Sequence, residues 1–352
     1  MHILFVGGGS VGHIAPSVAV WKACSAMMPD AACNFVCSRR PGDAAFLKNI
    51  DLPYVAFDAP RMSPMLLWKW FPAVRRAKKI LEEKNPDVIF SKGGYVSVPL
   101  CYAAWKKGIP IVLHESDAVS GYANRIVRRF ASAVCAGFPS LHFPLSVFHF
   151  TGNPVREEVT RGSRDKGLGI TGLKGGRPIL LVMGGSQGAL EINRAVAAAL
   201  PDLLLRCDVI HITGYGKRTV SDPHEGYFQI EFAGEELPHL YACADMALTR
   251  AGAGSIAELA ACGIPSVLVP LRGVGHDHQW YNAVSAAKQG GCFHLEQQEL
   301  SEKLLPTIHN LVTDDARRKE MAKSIRALSR PDAALQIAKI IALTLDSASR
   351  DH

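Results

Sequence analysis

The sequence predicts an α/β protein made of two doubly wound domains, and three observations lead to this fold class. Short runs rich in Val, Ile and Leu alternate with stretches of helical periodicity, as in parallel sheets that are covered by helices on both faces. This alternation starts again near residue 177. The chain has 352 residues, which is more than one hydrophobic core usually serves.

The predicted elements follow each other in βαβ order along both halves. The runs expected as strands are 2–8, 34–38, 87–91, 109–115, 132–138, 178–185, 208–214, 245–250 and 265–270. The stretches expected as helices include 16–28, 97–107, 189–204, 255–262 and 280–289. Between the halves, the polar, Gly-rich segment 161–177 predicts a linker. We therefore expect an N-terminal domain over 1–160 and a C-terminal domain over 178–352, with a terminal helix over 335–349 that the sequence allows to pack back on the N-terminal domain.

Composition narrows the class of protein. Apolar residues make up 48% of the chain and charged residues 20%, which is typical of a globular protein and excludes a disordered one. The nine cysteines show no repeated pair spacing, so reduced thiols are expected rather than disulfides or a zinc site. No apolar run approaches the roughly 18–20 residues of a transmembrane helix, and no signal peptide is apparent. We expect a cytoplasmic protein.

The positive charge is concentrated in the first half of the chain. The whole sequence carries a formal charge of +7, but residues 1–156 carry +9 and residues 157–352 carry −2. A basic half is typical of a protein that meets a polyanion, such as nucleic acid, an anionic membrane or a phosphorylated substrate. A basic face that is merely solvated is the alternative.

The first glycine-rich turn follows the first predicted strand. Residues 7–12 read GGGSVG, which satisfies the G-x-G-x-x-G pattern. Arg39 and Arg40 then stand where a dinucleotide-binding fold would hold a ribose phosphate, so an NADP-dependent oxidoreductase is one reading. Tight strand-to-helix packing without any ligand is another.

The second half of the chain contains two more glycine-rich turns. Residues 184–188 read GGSQG and residues 250–255 read RAGAGS, each between a predicted strand and a predicted helix. Such turns present backbone N–H groups and the positive end of a helix dipole to an anion. Glu258, one turn further, is a carboxylate that could accept hydrogen bonds from both hydroxyls of a ribose, or could simply compensate the dipole. A hydride-transfer enzyme needs only the first turn, so the pair favours a nucleotide held by the C-terminal domain.

Taken together, seven colinear motifs resemble the MurG family, the transferases that use UDP-N-acetylglucosamine to convert lipid I to lipid II in peptidoglycan synthesis. The motifs are GGGSVGHIAPSVAV (7–20), SKGGYVSVP (91–99), HESDAVSGYANR (114–125), TGNPVR (151–156), VMGGSQGA (182–189), RAGAGSIAELAACGIPSVLVP (250–270) and DHQWYNA (277–283). The resemblance implies the GT-B architecture, with two Rossmann-like domains facing a cleft, inversion at the anomeric carbon, and neither a cofactor nor an obligatory active-site metal.

The resemblance also implies roles for single residues. Ala233 would meet the uracil through its backbone, Glu258 would bind the ribose, and Gln279 would bind the sugar hydroxyls. The residues implied in holding the diphosphate are Arg156, Ser186, Ala253, Gly254, Ser255 and Ile256. Gln187 and Ala257 are also assigned to the binding of UDP-N-acetylglucosamine. From the N-terminal domain, Ser10, Val11, Gly12 and Asp117 would approach the donor, and Tyr95 and Asn124 are assigned to the acceptor side.

Two of the motifs depart from the usual pattern. Val11 replaces a glycine of the first turn, and HESD stands where HEQN is usual, so that Asp117 replaces an Asn. An Asp accepts hydrogen bonds but lacks the amide donor. These departures keep a related GT-B transferase with another glycolipid acceptor as an alternative. A nucleotide-binding module without turnover is an alternative from a different class.

His13 is the first candidate for the catalytic base, because an imidazole titrates near neutral pH. Glu115 and Asp117 compete with it, and a His13 that only hydrogen-bonds phosphate or sugar is the alternative role. His276, Asp277 and His278 lie beside the sugar-contact motif without the helical spacing of a metal site, so no metal is expected there.

Segment 61–79 is a candidate for contact with a membrane. It contains six Lys or Arg residues, no acidic residue, and several large apolar side chains, of which Leu67, Trp68, Trp70 and Phe71 are the expected contacts. Indoles favour the headgroup boundary and basic residues favour anionic lipid. We expect a peripheral protein on the cytoplasmic face of the cell inner membrane, with UDP-N-acetylglucosamine and the polyprenyl-pyrophosphate-linked lipid I as partners and without a nucleic-acid partner. A buried amphipathic helix is the alternative.

Overall fold

The computed structural model describes residues 1–8, 11–60, 66–139, 147–185, 188–221 and 224–350. The chain divides into two compact units. The first comprises residues 1–154 together with the segment from 330 onward, and the second comprises residues 155–329. Each unit is built around its own parallel sheet, as a doubly wound domain requires.

In the described part of the first unit, seven strands pair in the order β3-β2-β1-β4-β5-β6-β7, and all the pairs are parallel. The strands are β1 (His2–Gly7), β2 (Ala32–Ser38), β3 (Tyr54–Phe57), β4 (Val88–Gly93), β5 (Ile111–Glu115), β6 (Ala133–Ala136) and β7 (Phe148–Phe150). The helices up to residue 127 are α1 (Val11–Met27), α2 (Pro41–Asn49), α3 (Leu66–Lys84), α4 (Ser97–Lys106) and α5 (Tyr122–Val127). The strand order reverses between β1 and β4, which is where such sheets form a crevice for ligands.

Strand β1 shows why a continuous apolar run becomes a central strand. Leu4 and Val6 face one hydrophobic core, which α3 and α4 share, while Ile3 and Phe5 face a second core shared with α1. Successive side chains of a strand point to opposite faces, so a strand that is covered on both sides reads as a nearly continuous apolar run. The ring of Phe5 also stacks on that of Phe35 at 4.9 Å.

In the described part of the second unit, six parallel strands pair in the order β10-β9-β8-β11-β12-β13. The strands are β8 (Ile179–Met183), β9 (Asp208–Ile212), β10 (Tyr227–Ile230), β11 (Met246–Thr249), β12 (Ser266–Leu268) and β13 (Cys292–His294). The helices are α6 (Arg164–Thr171), α7 (Leu190–Leu204), α8 (Leu237–Cys243), α9 (Ala253–Cys262), α10 (His278–Ala287), α11 (Leu300–Thr313) and α12 (Asp315–Arg326). Here the strand order reverses between β8 and β11, the two strands that the glycine-rich turns follow.

Segment 161–177, which the sequence predicts as a linker, lies inside the second unit. Ser163 caps helix α6 by accepting a hydrogen bond from the backbone N–H of Lys166, and Arg164 donates to the carbonyl of Cys243 at 2.8 Å. Helix α6 packs closely on α8, and a Cβ on Gly167 would overlap the carbonyl oxygen of His239. The units divide instead after residues 154 and 329.

The last helix, α13 (Ala333–Arg350), returns to the first unit. Its buried side chains Ile337, Ile341 and Leu345 recur at helical spacing and join the core that contains Ile3 and Phe5. This helix therefore helps to cover one face of the N-terminal sheet.

Candidate functional site

Helix α9 of the second unit presents a set of backbone donors at its start. Its first intrahelical hydrogen bond runs from the N–H of Ile256 to the carbonyl of Gly252 at 3.0 Å. The N–H groups of Ala253, Gly254 and Ser255 precede that bond, so they point out of the helix with the positive end of its dipole. Gly254 is exposed, and a Cβ there would meet nothing within 4 Å. This helix end is suited to bind a phosphate group.

Glu258 lies one turn into α9 and is held in place by a tyrosine. The hydroxyl of Tyr241 donates a hydrogen bond to Oε2 of Glu258 at 2.8 Å, and only 2% of Tyr241 is exposed. Burial raises the pKa of Glu258 above its ordinary value, while the Tyr241 hydrogen bond and the charge of Arg156 oppose that rise. Burial and the charge of Glu258 raise the pKa of Tyr241 well above its usual range, so its hydroxyl stays protonated and remains a donor.

Arg156 stands at the start of a short 3₁₀ helix, Glu157–Arg161, in the same unit. Its Nε atom is buried without a hydrogen-bond partner among the described residues. A buried guanidinium nitrogen without a partner is costly, and an anionic ligand would satisfy it. The charge of Arg156 acts on the pKa of Glu258, and its Nε atom can donate a hydrogen bond to an anion.

The glycine-rich turn between β8 and α7 brings two backbone segments together. Gly185 and Gly188 have φ angles of +78° and +69°, and the N–H of Gly188 donates to the carbonyl of Gly185 at 2.9 Å. A Cβ on Gly188 would overlap the carbonyl oxygen of Thr213 and approach the Cα of Gly214 to 2.8 Å. Ser186, expected at the diphosphate, and Gln187, expected to bind the donor, lie outside the described residues.

Ala233 follows strand β10 and is 8% exposed. The ring of its neighbour Phe232 stacks on Tyr215 with 5.5 Å between centroids and an interplanar angle of 11°. Both rings are largely exposed, at 51% for Phe232 and 71% for Tyr215. No local pattern in the sequence indicates this pair, because its members lie on different loops.

Gln279 is oriented by the backbone beside it. Its Oε1 accepts a hydrogen bond from the N–H of Leu271 at 3.0 Å, so its amide N–H groups are directed elsewhere and can donate to a hydroxyl. His276 and Asp277, three and two residues before Gln279, have positive φ angles of 61° and 57°. This backbone conformation is strained for residues other than glycine. Asp277 accepts from the N–H of Gly273 at 2.6 Å, which helps to hold this conformation.

In the first unit, α1 begins at Val11, immediately after the first glycine-rich turn. Gly8 allows close approach, because a Cβ there would lie 2.6 Å from the backbone nitrogen of Ser38. Gly12 is exposed. Ser10 and the side chains of Val11 and His13 lie outside the described part, so the base predicted at His13 stays a prediction.

The HESD motif ends strand β5, and its glutamate braces the loop that follows. Oε1 of Glu115 accepts from the backbone N–H of Asp117 at 3.2 Å, and Oε2 accepts from Nδ2 of Asn124 at 2.9 Å. Burial, and then the charge of Asp117, raise the pKa of Glu115 to about 7. With both oxygens engaged, Glu115 acts as a structural brace, and Asn124 is turned toward it. Tyr95 is half-buried and packs against the core beside α4.

The described residues contain no group of three or more His, Cys, Asp and Glu side chains that could hold a metal ion, and His276, Asp277 and His278 form no such group. Within the same described ranges, no helix combines the length and the apolar character that crossing a membrane requires.

Comparison with known proteins agrees with this geometry. Residues 3–136 match the glycosyltransferase family 28 N-terminal domain, and residues 179–337 match the family 28 C-terminal domain. Among curated proteins, the UDP-N-acetylglucosamine--N-acetylmuramyl-(pentapeptide) pyrophosphoryl-undecaprenol N-acetylglucosamine transferase of Lachnoclostridium phytofermentans is 36% identical over 97% of both chains. The protein of the same name from Geobacillus thermodenitrificans is 36% identical over 92% of this chain and 94% of its own.

Among solved structures, MurG of Acinetobacter baumannii superposes with a TM-score of 0.76 at 25% identity and covers 97% of this chain and 99% of its own. The expected fold class, two Rossmann-like domains of the GT-B kind, is confirmed by the two parallel sheets and by this likeness. On these grounds the chain belongs to the MurG family of glycosyltransferases.

Proposed function

We propose that this protein transfers N-acetylglucosamine from UDP-N-acetylglucosamine to N-acetylmuramyl-(pentapeptide) pyrophosphoryl-undecaprenol, which converts lipid I to lipid II. The observation that carries the proposal is the Tyr241–Glu258 pair beside the start of α9, in the unit that matches the family's C-terminal domain. The names of the relatives supply the donor and the acceptor.

The second unit offers a partner for each part of a nucleoside diphosphate sugar. Glu258 suits the two hydroxyls of a ribose, the start of α9 and Arg156 suit the diphosphate, and Gln279 suits a sugar hydroxyl. Fixed backbone donors stabilise negative charge on the departing diphosphate without reorganising during the reaction.

In the reaction, a hydroxyl oxygen of the acceptor bonds to the anomeric carbon of the donor, and the bond from that carbon to the β-phosphate oxygen breaks. UDP leaves with the electron pair of that bond, and the hydroxyl proton passes to a base. His13 is our first candidate for the base, since an imidazole titrates near neutral pH. Asp117 is the second candidate, because both oxygens of Glu115 are already engaged.

The function is tested by measuring release of UDP with and without a lipid I analogue. We expect release to depend on the acceptor and to be faster from UDP-N-acetylglucosamine than from UDP-glucose or UDP-N-acetylgalactosamine. Replacing His13 by Ala should lower turnover by about 10²–10⁴-fold, the usual contribution of a positioned base, with donor affinity retained. His149→Ala, at an exposed position of β7, is the control. UDP release at the same rate with and without the lipid I analogue contradicts the function. Near-normal turnover of His13→Ala contradicts only the choice of base.

The surface of helix α3 supports a proposal about where the protein acts. Trp68 and Phe71, one turn apart, are 83% and 76% exposed, and the exposed basic residues that accompany them are Lys69, Arg75, Arg76, Lys78 and Lys79.

Trp70 instead packs on Tyr102 at 5.5 Å, and the side chain of Leu67 lies outside the described part. Trp105, 46% exposed under the ammonium group of Lys106, extends this surface. We propose that the α3 surface binds the anionic cytoplasmic leaflet peripherally, close to the lipid-linked acceptor.

This membrane proposal predicts binding to phosphatidylglycerol vesicles that weakens as salt is added, because surface charges are screened. Replacing Trp68 and Phe71 together by Ser should weaken vesicle binding by about 10- to 100-fold, since two large apolar side chains lose their burial in lipid. Leu343→Ser, which removes another exposed apolar side chain of the same unit, should bind normally. Co-sedimentation measures both, and equal binding to phosphatidylcholine vesicles would contradict the role of charge.

A further inference from the structure

Lys92 is a buried lysine whose position the function described so far does not explain. It lies in β4 next to Gly93, at the carboxyl end of the strand and beside the reversal of strand order. Only 2% of it is exposed, and its Nζ donates a hydrogen bond to Oγ of Ser116. Lysines are almost never fully buried unless they are paired, because removing the ammonium group from water is costly.

The charges that face Lys92 come from the neighbouring strand β5 and the loop after it. Burial lowers the pKa of Lys92 to about 8, while the charges of Asp117 and Glu115 oppose that fall. Glu115 is occupied with the backbone of Asp117 and with Asn124. Asp117 is half-buried at the carboxyl end of the sheet, where ligands bind in doubly wound folds. Of the two carboxylates, Asp117 is the more exposed one, so its charge is the one that a bound substrate would meet.

His114 adds no positive charge to this group. Its Nε2 lies 3.0 Å from the carbonyl oxygen of Gly152, so the ring must carry its proton there and leave Nδ1 bare. Burial, and then the charge of Lys92, lower the pKa of His114 well below its usual range. Of Lys92 and His114, Lys92 is therefore the one that brings a positive charge to Asp117.

An uncompensated Asp117 would work against the reaction. Both proposed substrates carry a diphosphate, and a carboxylate nearby repels it in a partly buried site, where water screens charges weakly. The motif resemblance puts a neutral amide at this position, so the carboxylate adds a charge that the chain must balance.

We propose that Lys92 is a positioning residue that neutralises Asp117 and fixes the loop through Ser116, so that Asp117 accepts a hydrogen bond from a sugar hydroxyl without repelling the diphosphate. Together, Lys92 and Asp117 carry no net charge and still accept a hydrogen bond, as the side-chain amide of an asparagine does. This inference rests on the proposed transferase function and assigns a specificity role to a buried lysine of that site.

The test is a double-mutant cycle on the full-length protein with Lys92→Met, Asp117→Asn and the two changes combined. Lys92→Met alone should raise the KM for the diphosphate substrates by about 10-fold, with kcat changed far less, because one uncompensated charge remains. The combined variant should return KM to within about 3-fold of the unsubstituted value, since coupled residues give non-additive effects. Lys48→Met, which removes an exposed lysine of the same unit, is the control.

A structural role gives a different pattern. If Lys92 only supports packing, Asp117→Asn will not correct Lys92→Met, and the loss will appear in kcat and in thermal stability. Additive changes in KM therefore overturn the proposal.

Should Lys92→Met fail to fold, the combined variant still decides, because recovery of folding and of KM by Asp117→Asn supports charge compensation and failure to recover overturns it. If the unsubstituted protein releases no UDP, the transferase function fails. The same cycle in thermal unfolding then tests the pairing alone, and an absence of coupling there overturns it.

Discussion

Replacing Glu258 by Gln is expected to weaken binding of UDP by about 100-fold, or about 2.7 kcal/mol. The substitution keeps the size of the side chain but removes the charge, and hydrogen bonds to a charged acceptor are worth about 1.5–3 kcal/mol each. Glu258 is positioned for this role by Tyr241, so Tyr241→Phe should weaken UDP binding by a smaller factor, about 10-fold. Isothermal titration calorimetry with UDP measures both changes.

Comparison with 2′-deoxy-UDP locates the effect at the ribose. The unsubstituted protein should bind 2′-deoxy-UDP more weakly than UDP, and this difference should disappear in Glu258→Gln. Glu225→Gln, which removes an exposed carboxylate that pairs with Lys174 in the same unit, should change neither affinity. A Glu258→Gln variant that still distinguishes the two nucleotides would show that the carboxylate binds something other than the 2′-hydroxyl.

Replacing Gly188 by Ala should lower the free energy of unfolding of the second unit by about 3 kcal/mol. Two costs add at this position. The φ of +69° is unfavourable for any residue with a Cβ, and that Cβ would run into the backbone of Thr213 and Gly214. Neither neighbour is a flexible side chain, so the turn itself must shift.

Gly216→Ala is the matched control for this change. Gly216 has a similar φ of +64°, but a Cβ there would meet nothing within 4 Å. Its cost should be only the conformational one, about 1 kcal/mol. Hydrogen exchange of the β8 and β9 amides reports the stability of this unit without requiring the whole chain to unfold in one step. Equal effects of the two substitutions would show that the turn at Gly188 relaxes freely.

The sequence predicted the interior strands of both sheets and missed the four edge strands. Strands β1, β5 and β8 are buried on both faces and therefore read as continuous apolar runs. The edge strands are short and carry half-buried or exposed positions, so they show no such run. These strands are β3, β7, β10 and β13.

Glycine explains the main difference in domain organisation. The glycines of segment 161–177 indicate a flexible linker when they are taken as loop residues. Gly167 instead allows α6 to approach α8, where any side chain would overlap the backbone of His239. Composition does not distinguish glycine that is needed for flexibility from glycine that is needed for close packing.

In the candidate site, spacing along the chain located the residues next to the glycine turns, while their partners depended on tertiary contacts. Glu258 was predicted because it lies one turn into a helix that begins with Gly and Ser. Tyr241 reaches it from 17 residues away, and no local pattern signals that contact. Lys92 did leave a signal, because a lysine inside the apolar run VIFSKGG is unusual for a buried strand.

The return of α13 to the N-terminal sheet affects how the chain folds during synthesis. Domains usually fold as units, beginning with the N-terminal one as it leaves the ribosome. Here the core that contains Ile3 and Phe5 stays uncovered by α13 until residues 333–350 have been translated. The unit of residues 155–329 is continuous in sequence, so it can complete its core without α13. Truncations that remove α13 will therefore disturb the N-terminal unit first.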